Sequence, residues 1–142
     1  MTEGARHVHE LEARLAESFA QTIELLGMLV ATVERFYEGS HCRYVSQKAA
    51  EVARRLGCSE LEVFEVQVAG LLHDIGKIGY PESVLQKFPA EMTAQERQLY
   101  ERHPELGWYI LQRHSALRGV AELVVQHHER LDGSGFPRHL RG

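Results

Sequence analysis

Residues 59–77 read SELEVFEVQVAGLLHDIGK. Ser59 followed three residues later by Glu62 has the spacing of a capping box, in which side chain and backbone satisfy each other at a helix start. The apolar series Leu61, Phe64, Val68, Leu71 and Leu72 then carries one helix into His73 and Asp74, and so apolar a helix is expected to be deeply buried. Gly76, Gly79 and Pro81 break the pattern. An imidazole, a carboxylate and an ammonium (His73, Asp74, Lys77) at the end of a buried helix demand that every polar atom find a partner. Either the three satisfy one another or a metal ion holds them. Adjacent His and Asp can offer a nitrogen and a carboxylate to one ion, and the second carboxylate oxygen is free to bridge to another. Lys77 would then direct its charge at an anion held by the ions.

Upstream, Val8, Leu11, Leu15, Phe19, Thr22, Leu26, Leu29, Val33 and Phe36 recur at spacings of three and four, which predicts one long helix with a narrow apolar seam over 8–36. The seam can pack on the rest of the chain or pair with the same helix of a second copy. A second helix is expected over 40–56, ending at Gly57, with Val45, Ala49, Val52, Ala53 and Leu56 on one face. Downstream, a helical turn is expected at 83–86 and a loop at 88–92, after which Thr93 and Glu96 repeat the capping box. The helix they start should stop near His103, because Pro104 disfavours a helical residue before it and suits the first position of the next helix. Helices over 104–113 and 117–128 follow, and the glycines and proline of DGSGFP (132–137) end the last one. No segment alternates with period two, so the fold class is all-α, a helical bundle preceded by a long N-terminal helix.

The 142 residues, 44% hydrophobic and 25% charged, suit one compact domain. No run approaches the roughly 20 apolar residues of a membrane span, and the N-terminus MTEGARHVHELEARL alternates charges where an export signal would be apolar. A cytoplasmic location and reduced Cys42 and Cys58 are therefore expected. A net charge of -4 argues against a DNA or RNA binder, while a small anion remains compatible with it if metal ions supply positive charge locally.

Nine histidines are many for this length. His7, His9, His114 and His139 are read as surface or capping residues. His41, the His73-Asp74 pair, His103 and the His127-His128 pair each fall at a helix start or end, and in a bundle such ends can converge.

The runs GSHCRYVS (39–46), LLHDIGKIGYP (71–81), His103-Pro104 and HHERLDGSGFP (127–137) resemble, in order and spacing, the motifs of the HD-GYP branch of the HD-domain phosphohydrolases. The resemblance covers 33–142, which leaves 1–32 as a helical linker. It implies a metal-dependent cyclic di-GMP phosphodiesterase holding two divalent ions, iron or manganese. Asp74 would bridge them, with His41 and His73 on the first ion and His103, His127 and His128 on the second. Mixed imidazole and carboxylate ligands suit those metals better than a four-coordinate structural zinc. A metal-bridged hydroxide is the implied nucleophile. Asp74 and Lys77 would be the catalytic residues, with Lys77 on a phosphate oxygen and Asp132, Gly133, Gly135, Phe136 and Pro137 bordering the cyclic dinucleotide. A homodimer through the N-terminal helix and an upstream sensory or receiver domain are further expectations.

Three departures qualify the resemblance. Phe136 stands where the signature has tyrosine, removing one hydroxyl. Some members hold a third metal through a glutamate one turn before the first histidine; that position is Tyr37 here, with Glu38 one place off, so two metals are expected. The family continues into a helix whose aspartate completes the first site, so the domain is expected to be incomplete at its C-terminus, with Arg138 and Arg141 as solvated residues. The alternatives are an inactive regulatory module and an HD phosphohydrolase acting on another nucleotide.

Overall fold

The structure is a computed structural model that describes residues 2–34 and 41–142. Seven α-helices are seen among them: α1 Glu3–Ala31, α2 His41–Arg55, α3 Glu60–Leu72, α4 Glu82–Leu85, α5 Ala94–Tyr100, α6 His103–Leu111 and α7 Arg118–Gln126. Short 3-10 turns lie at Ile75–Lys77, Pro89–Glu91 and Ser115–Leu117. The all-α reading holds: the described residues contain no strand, only one isolated bridge between Asp132 and Arg141. No described helix is long and apolar enough to cross a membrane.

The helix α3 lies at the centre, against α2 on one side and α7 on the other, and α6 packs on α7 and on the turn that follows α3. Its capping box forms as expected: Ser59 Oγ accepts from the Glu62 N–H, and the Glu62 carboxylate accepts from the Ser59 N–H at 2.7 Å. Leu72, Val120, Val124 and Val30 are fully buried in one core with Val68, Leu71 and Ile75. Burying a side chain of this size stabilises by about 1.5–3 kcal/mol.

The expected faces of two helices shift. In α3, Leu61 and Phe64 are exposed, and Val63 is the residue that enters a second small cluster with Ala50 and Ala53. In α2 the buried face runs through Cys42, Ser46, Ala50 and Ala53, while Val52 and Leu56 point to solvent. Small side chains explain this. A Cβ on Gly70 would sit 2.8 Å from the Ser46 Cα, so the two backbones approach more closely than the larger Val45 and Val52 would allow.

The long N-terminal helix ends at Ala31, short of the expected 36. Thr32 and Val33 form a turn in which the Thr32 hydroxyl donates to the Leu29 carbonyl at 2.7 Å, a local bond by which Thr competes with helix continuation. Phe36, Tyr37, Glu38 and Ser40 lie outside the described residues. The second half of α1 packs through Ile23, Gly27 and Val30, whereas Val8, Leu11 and Leu15 are exposed. Downstream, α5 stops at Tyr100, and α6 starts at His103 itself with Pro104 inside its first turn.

Candidate metal centre

Four chain segments bring the candidate residues together. Helix α3 delivers His73 and Asp74 just past its C-terminal end, α6 opens with His103, α7 is followed directly by His127 and His128, and α2 opens with His41. Gly76 makes this convergence possible: a Cβ there would sit 1.9 Å from the His103 carbonyl oxygen and 2.8 Å from the Gly107 nitrogen, so only glycine lets α6 approach the turn after Asp74.

Three of the rings are oriented the same way. Nδ1 of His73 lies 2.9 Å from the Gly70 carbonyl, that of His103 2.7 Å from the Tyr100 carbonyl, and that of His127 2.6 Å from the Val124 carbonyl. A carbonyl only accepts, so each Nδ1 carries the proton and each Nε2 presents a lone pair, the arrangement typical of metal-ligating histidines. Burial pushes the His127 imidazole down to about 3, with the charge of His128 adding to the effect, and burial followed by the charge of His103 takes His128 to about 4. Burial also lowers His103. These rings are neutral at physiological pH.

The lone pairs then face one another. His103 Nε2 and His127 Nε2 are 3.2 Å apart, and Asp74 Oδ1 lies 3.3 Å from the first and 4.0 Å from the second. Burial would raise the Asp74 carboxyl, but its surroundings, the Lys77 ammonium 2.6 Å from Oδ2 among them, outweigh it and hold it well below the usual carboxylate range. Asp74 Oδ1 is accordingly buried with no hydrogen-bond partner among the described residues. Two imidazole lone pairs and a carboxylate oxygen around one point, with no proton between them, are unfavourable unless a cation sits there. The donor set fits a divalent ion.

Asp74 lies between two groups of potential ligands. Its Oδ1 faces His103 and His127; its Oδ2 lies 3.6 Å from His73 Nε2 and 2.6 Å from Lys77 Nζ. His103, His127 and His128 form one set with donor atoms within 4.8 Å of each other, and Glu34, His41 and His73 form another. Glu34 falls outside the sequence reading; it follows the end of α1 whereas His41 opens α2, so no single helix carries both. Tyr100, also unforeseen, places its ring 5.1 Å under Lys77 Nζ and 5.0 Å from the His103 ring. Burial pushes its phenol up, so it stays a neutral donor.

A cavity of about 240 Å³ opens beside the centre, lined by Glu34, His41, His73, Asp74, Lys77, Tyr100 and His128 among others. The 132–137 loop borders the far side of the histidines. Phe136 stacks on His128 with centroids 4.5 Å apart, and its N–H donates to the His128 carbonyl at 3.3 Å. A Cβ on Gly135 would sit 2.4 Å from that same carbonyl. Asp132 accepts from the N–H and hydroxyl of Ser134 and shapes the turn, Gly133 adopts positive φ within it, and Pro137 follows a cis peptide bond. Glu129 anchors what comes next, accepting from the Arg138 N–H at 2.6 Å and the Leu140 N–H at 3.0 Å. His7 and His9 are exposed on α1, His114 stacks on Phe19, and His139 is exposed at positive φ; none reaches the centre.

Comparison with known proteins agrees with this chemistry. The sequence profile described as HD domain matches residues 12–142. The chain is 38% identical over 123 residues to a cyclic di-GMP phosphodiesterase of Thermotoga maritima, covering 85% of this chain and 33% of the relative. It is 37% identical over 141 residues to the cyclic di-GMP phosphodiesterase response regulator RpfG of Xanthomonas campestris, covering 93% of this chain and 37% of the relative. It is also 33% identical over 131 residues to the 3'3'-cGAMP-specific phosphodiesterase 1 of Vibrio cholerae, covering 92% and 30%. The chain thus spans about a third of the length of these relatives.

Proposed function

Because this chain belongs to the HD-domain family, we propose that it is the metal-dependent unit of a cyclic dinucleotide phosphodiesterase of the HD-GYP branch, with cyclic di-GMP as substrate. The observation that carries the reading is the facing pair of neutral imidazole lone pairs, His103 and His127 Nε2 at 3.2 Å, closed by an unpartnered Asp74 oxygen. His41 and His73 would hold one ion, His103, His127 and His128 a second, and Asp74 would bridge, with iron or manganese as the metal. Bound divalent ions supply Lewis acidity at a phosphoryl oxygen and make water a stronger acid.

The protein's own residues do the rest. Lys77 would take a non-bridging phosphate oxygen on exchanging Asp74 for substrate, and an ammonium there stabilises charge that grows as the phosphorus is attacked. Tyr100 holds that ammonium from below and keeps a neutral hydroxyl available as donor. Phe136, stacked on His128, and Gly135, pressed against the His128 backbone, would border the cyclic dinucleotide. Asp132, Gly133 and Pro137 shape the loop behind them. Pairing of two copies through the exposed part of α1, an upstream input domain and a cytoplasmic location belong to the same proposal.

The test is metal content by elemental analysis of protein purified without oxygen or chelator, followed by hydrolysis assays with cyclic di-GMP, 3'3'-cGAMP and a non-cyclic nucleotide. Two ions per chain and turnover of cyclic di-GMP support the reading. Preference for 3'3'-cGAMP corrects the substrate, and turnover of the non-cyclic nucleotide alone rejects the branch. Replacing Asp74 with Ala should abolish loading; two ions retained by that variant would sink its bridging role.

A further inference from the structure

The second ligand group includes a carboxylate, Glu34, beside His41 and His73. Glu34 follows the turn that ends α1, and its Oε2 accepts from the Cys42 N–H at 3.1 Å, at the start of α2. That bond fixes the carboxylate. The other oxygen, Oε1, is buried without a hydrogen-bond partner among the described residues, and its side chain lines the same cavity as His41, His73 and Asp74. A buried carboxylate oxygen left without a partner is costly, and a helix cap needs only one of the two oxygens. Capping α2 therefore accounts for Oε2 and leaves Oε1 unexplained.

We infer that Glu34 is a ligand of the first metal ion, through Oε1, alongside His41 and His73. The inference rests on the two-ion reading above and adds to it a residue and an anionic charge. Donor atoms of the three residues lie within 4.8 Å of one another. Ligands bonded to one ion at about 2.0–2.2 Å can be at most about 4.4 Å apart, so an ion is captured by closing the set by a few tenths of an ångström. The charges fit as well. Asp74 is already paired with Lys77 at 2.6 Å, whereas Glu34 brings a carboxylate to an imidazole pair that would otherwise offer an ion no charge of its own. Asp74 then becomes free to bridge, because the first ion does not depend on it alone.

The experiment uses the full chain and Mn(II) as probe, with stoichiometry measured by elemental analysis after gel filtration and affinity by titration calorimetry. Four proteins are compared: wild type, Glu34→Gln, His127→Ala and the double variant. Gln keeps the oxygen that caps Cys42, and circular dichroism of the metal-free proteins checks folding. Wild type should take two ions and Glu34→Gln one, with the lost ion's affinity weakened at least tenfold. His127→Ala should keep the first ion, and the double variant should take none. Two ions bound to Glu34→Gln at wild-type affinity would overturn the role of Glu34 while leaving the two-ion reading intact. No ion bound to wild type would overturn both. Anomalous scattering from Mn(II) in crystals of the wild-type chain gives a check free of substitutions: an ion about 2.2 Å from Glu34 Oε1 supports the assignment, and one beyond about 3 Å ends it.

Discussion

His73, His103 and His127 each commit a proton to the carbonyl three residues back, so the direction of each ring is set by the helix that ends just before it: α3 for His73, α5 for His103 and α7 for His127. This regularity was legible in the sequence only as position: candidates at helix ends, chosen by motif. The tautomers and the 3.2 Å approach of two rings needed the fold, and Glu34 was out of reach because its relation to His41 and His73 is tertiary. Gly76→Ala forces a Cβ into the His103 carbonyl and the Gly107 nitrogen, and neither backbone can yield without moving α6. A loss of about 2–3 kcal/mol is expected, read as a lower denaturant midpoint, together with weaker Mn(II) binding. Lys77→Met should lower kcat/KM on a cyclic dinucleotide by roughly 10²–10³-fold with ion content unchanged; an unaltered rate would show that Lys77 serves only to neutralise Asp74.

Helix starts were the most legible elements, because a capping box is a local code. Ser59 with Glu62 and Thr93 with Glu96 both form as written. Helix faces were less legible. The buried face of α2 carries Cys42, Ser46, Ala50 and Ala53, and small residues contribute little to an apolar periodicity even when they permit the closest packing. Helix ends fared in between: Thr32 stops α1 by a hydroxyl bond that a seam of apolar positions does not encode. At the start of α5 the Glu96 carboxylate accepts from the Thr93 N–H at 2.8 Å and from Lys87 Nζ at 2.6 Å. The Lys87 contact, then the Thr93 bonds, lower its carboxyl from 4.5 to about 2. A depressed folded-state value means that the ionised group stabilises the fold above pH 4.5, and that this contribution disappears as pH falls through 2. Glu96→Gln should therefore lower the midpoint of thermal unfolding at pH 7, with the gap to wild type closing between about pH 4.5 and 2. A gap that persists at the acid end would assign the effect to packing.

Over the whole molecule, α1 is divided. Residues up to Ser18 are exposed, while Phe19, Ile23, Gly27 and Val30 contact the core. Deleting residues 2–15 should leave the unfolding midpoint within about 2 °C, since little buried surface is lost. The same deletion should convert a dimer to a monomer in sedimentation if Val8, Leu11 and Leu15 form a pairing seam; a wild-type chain that is monomeric at high concentration removes that proposal. The sequence left both uses of the helix open because a seam of threes and fours suits either. The ligands proposed for the centre are mostly imidazole rings, with His103, His127 and His128 all held below their ordinary values by burial, so two divalent ions bound there would keep most of their charge in a chain whose formal charge is -4. A loaded protein would present a positive well in an acidic surface. Its field would draw in a dianionic dinucleotide from solution and repel it elsewhere, so capture should slow as ionic strength shortens the Debye length below about 10 Å, while the rate of bond cleavage in the bound complex stays the same.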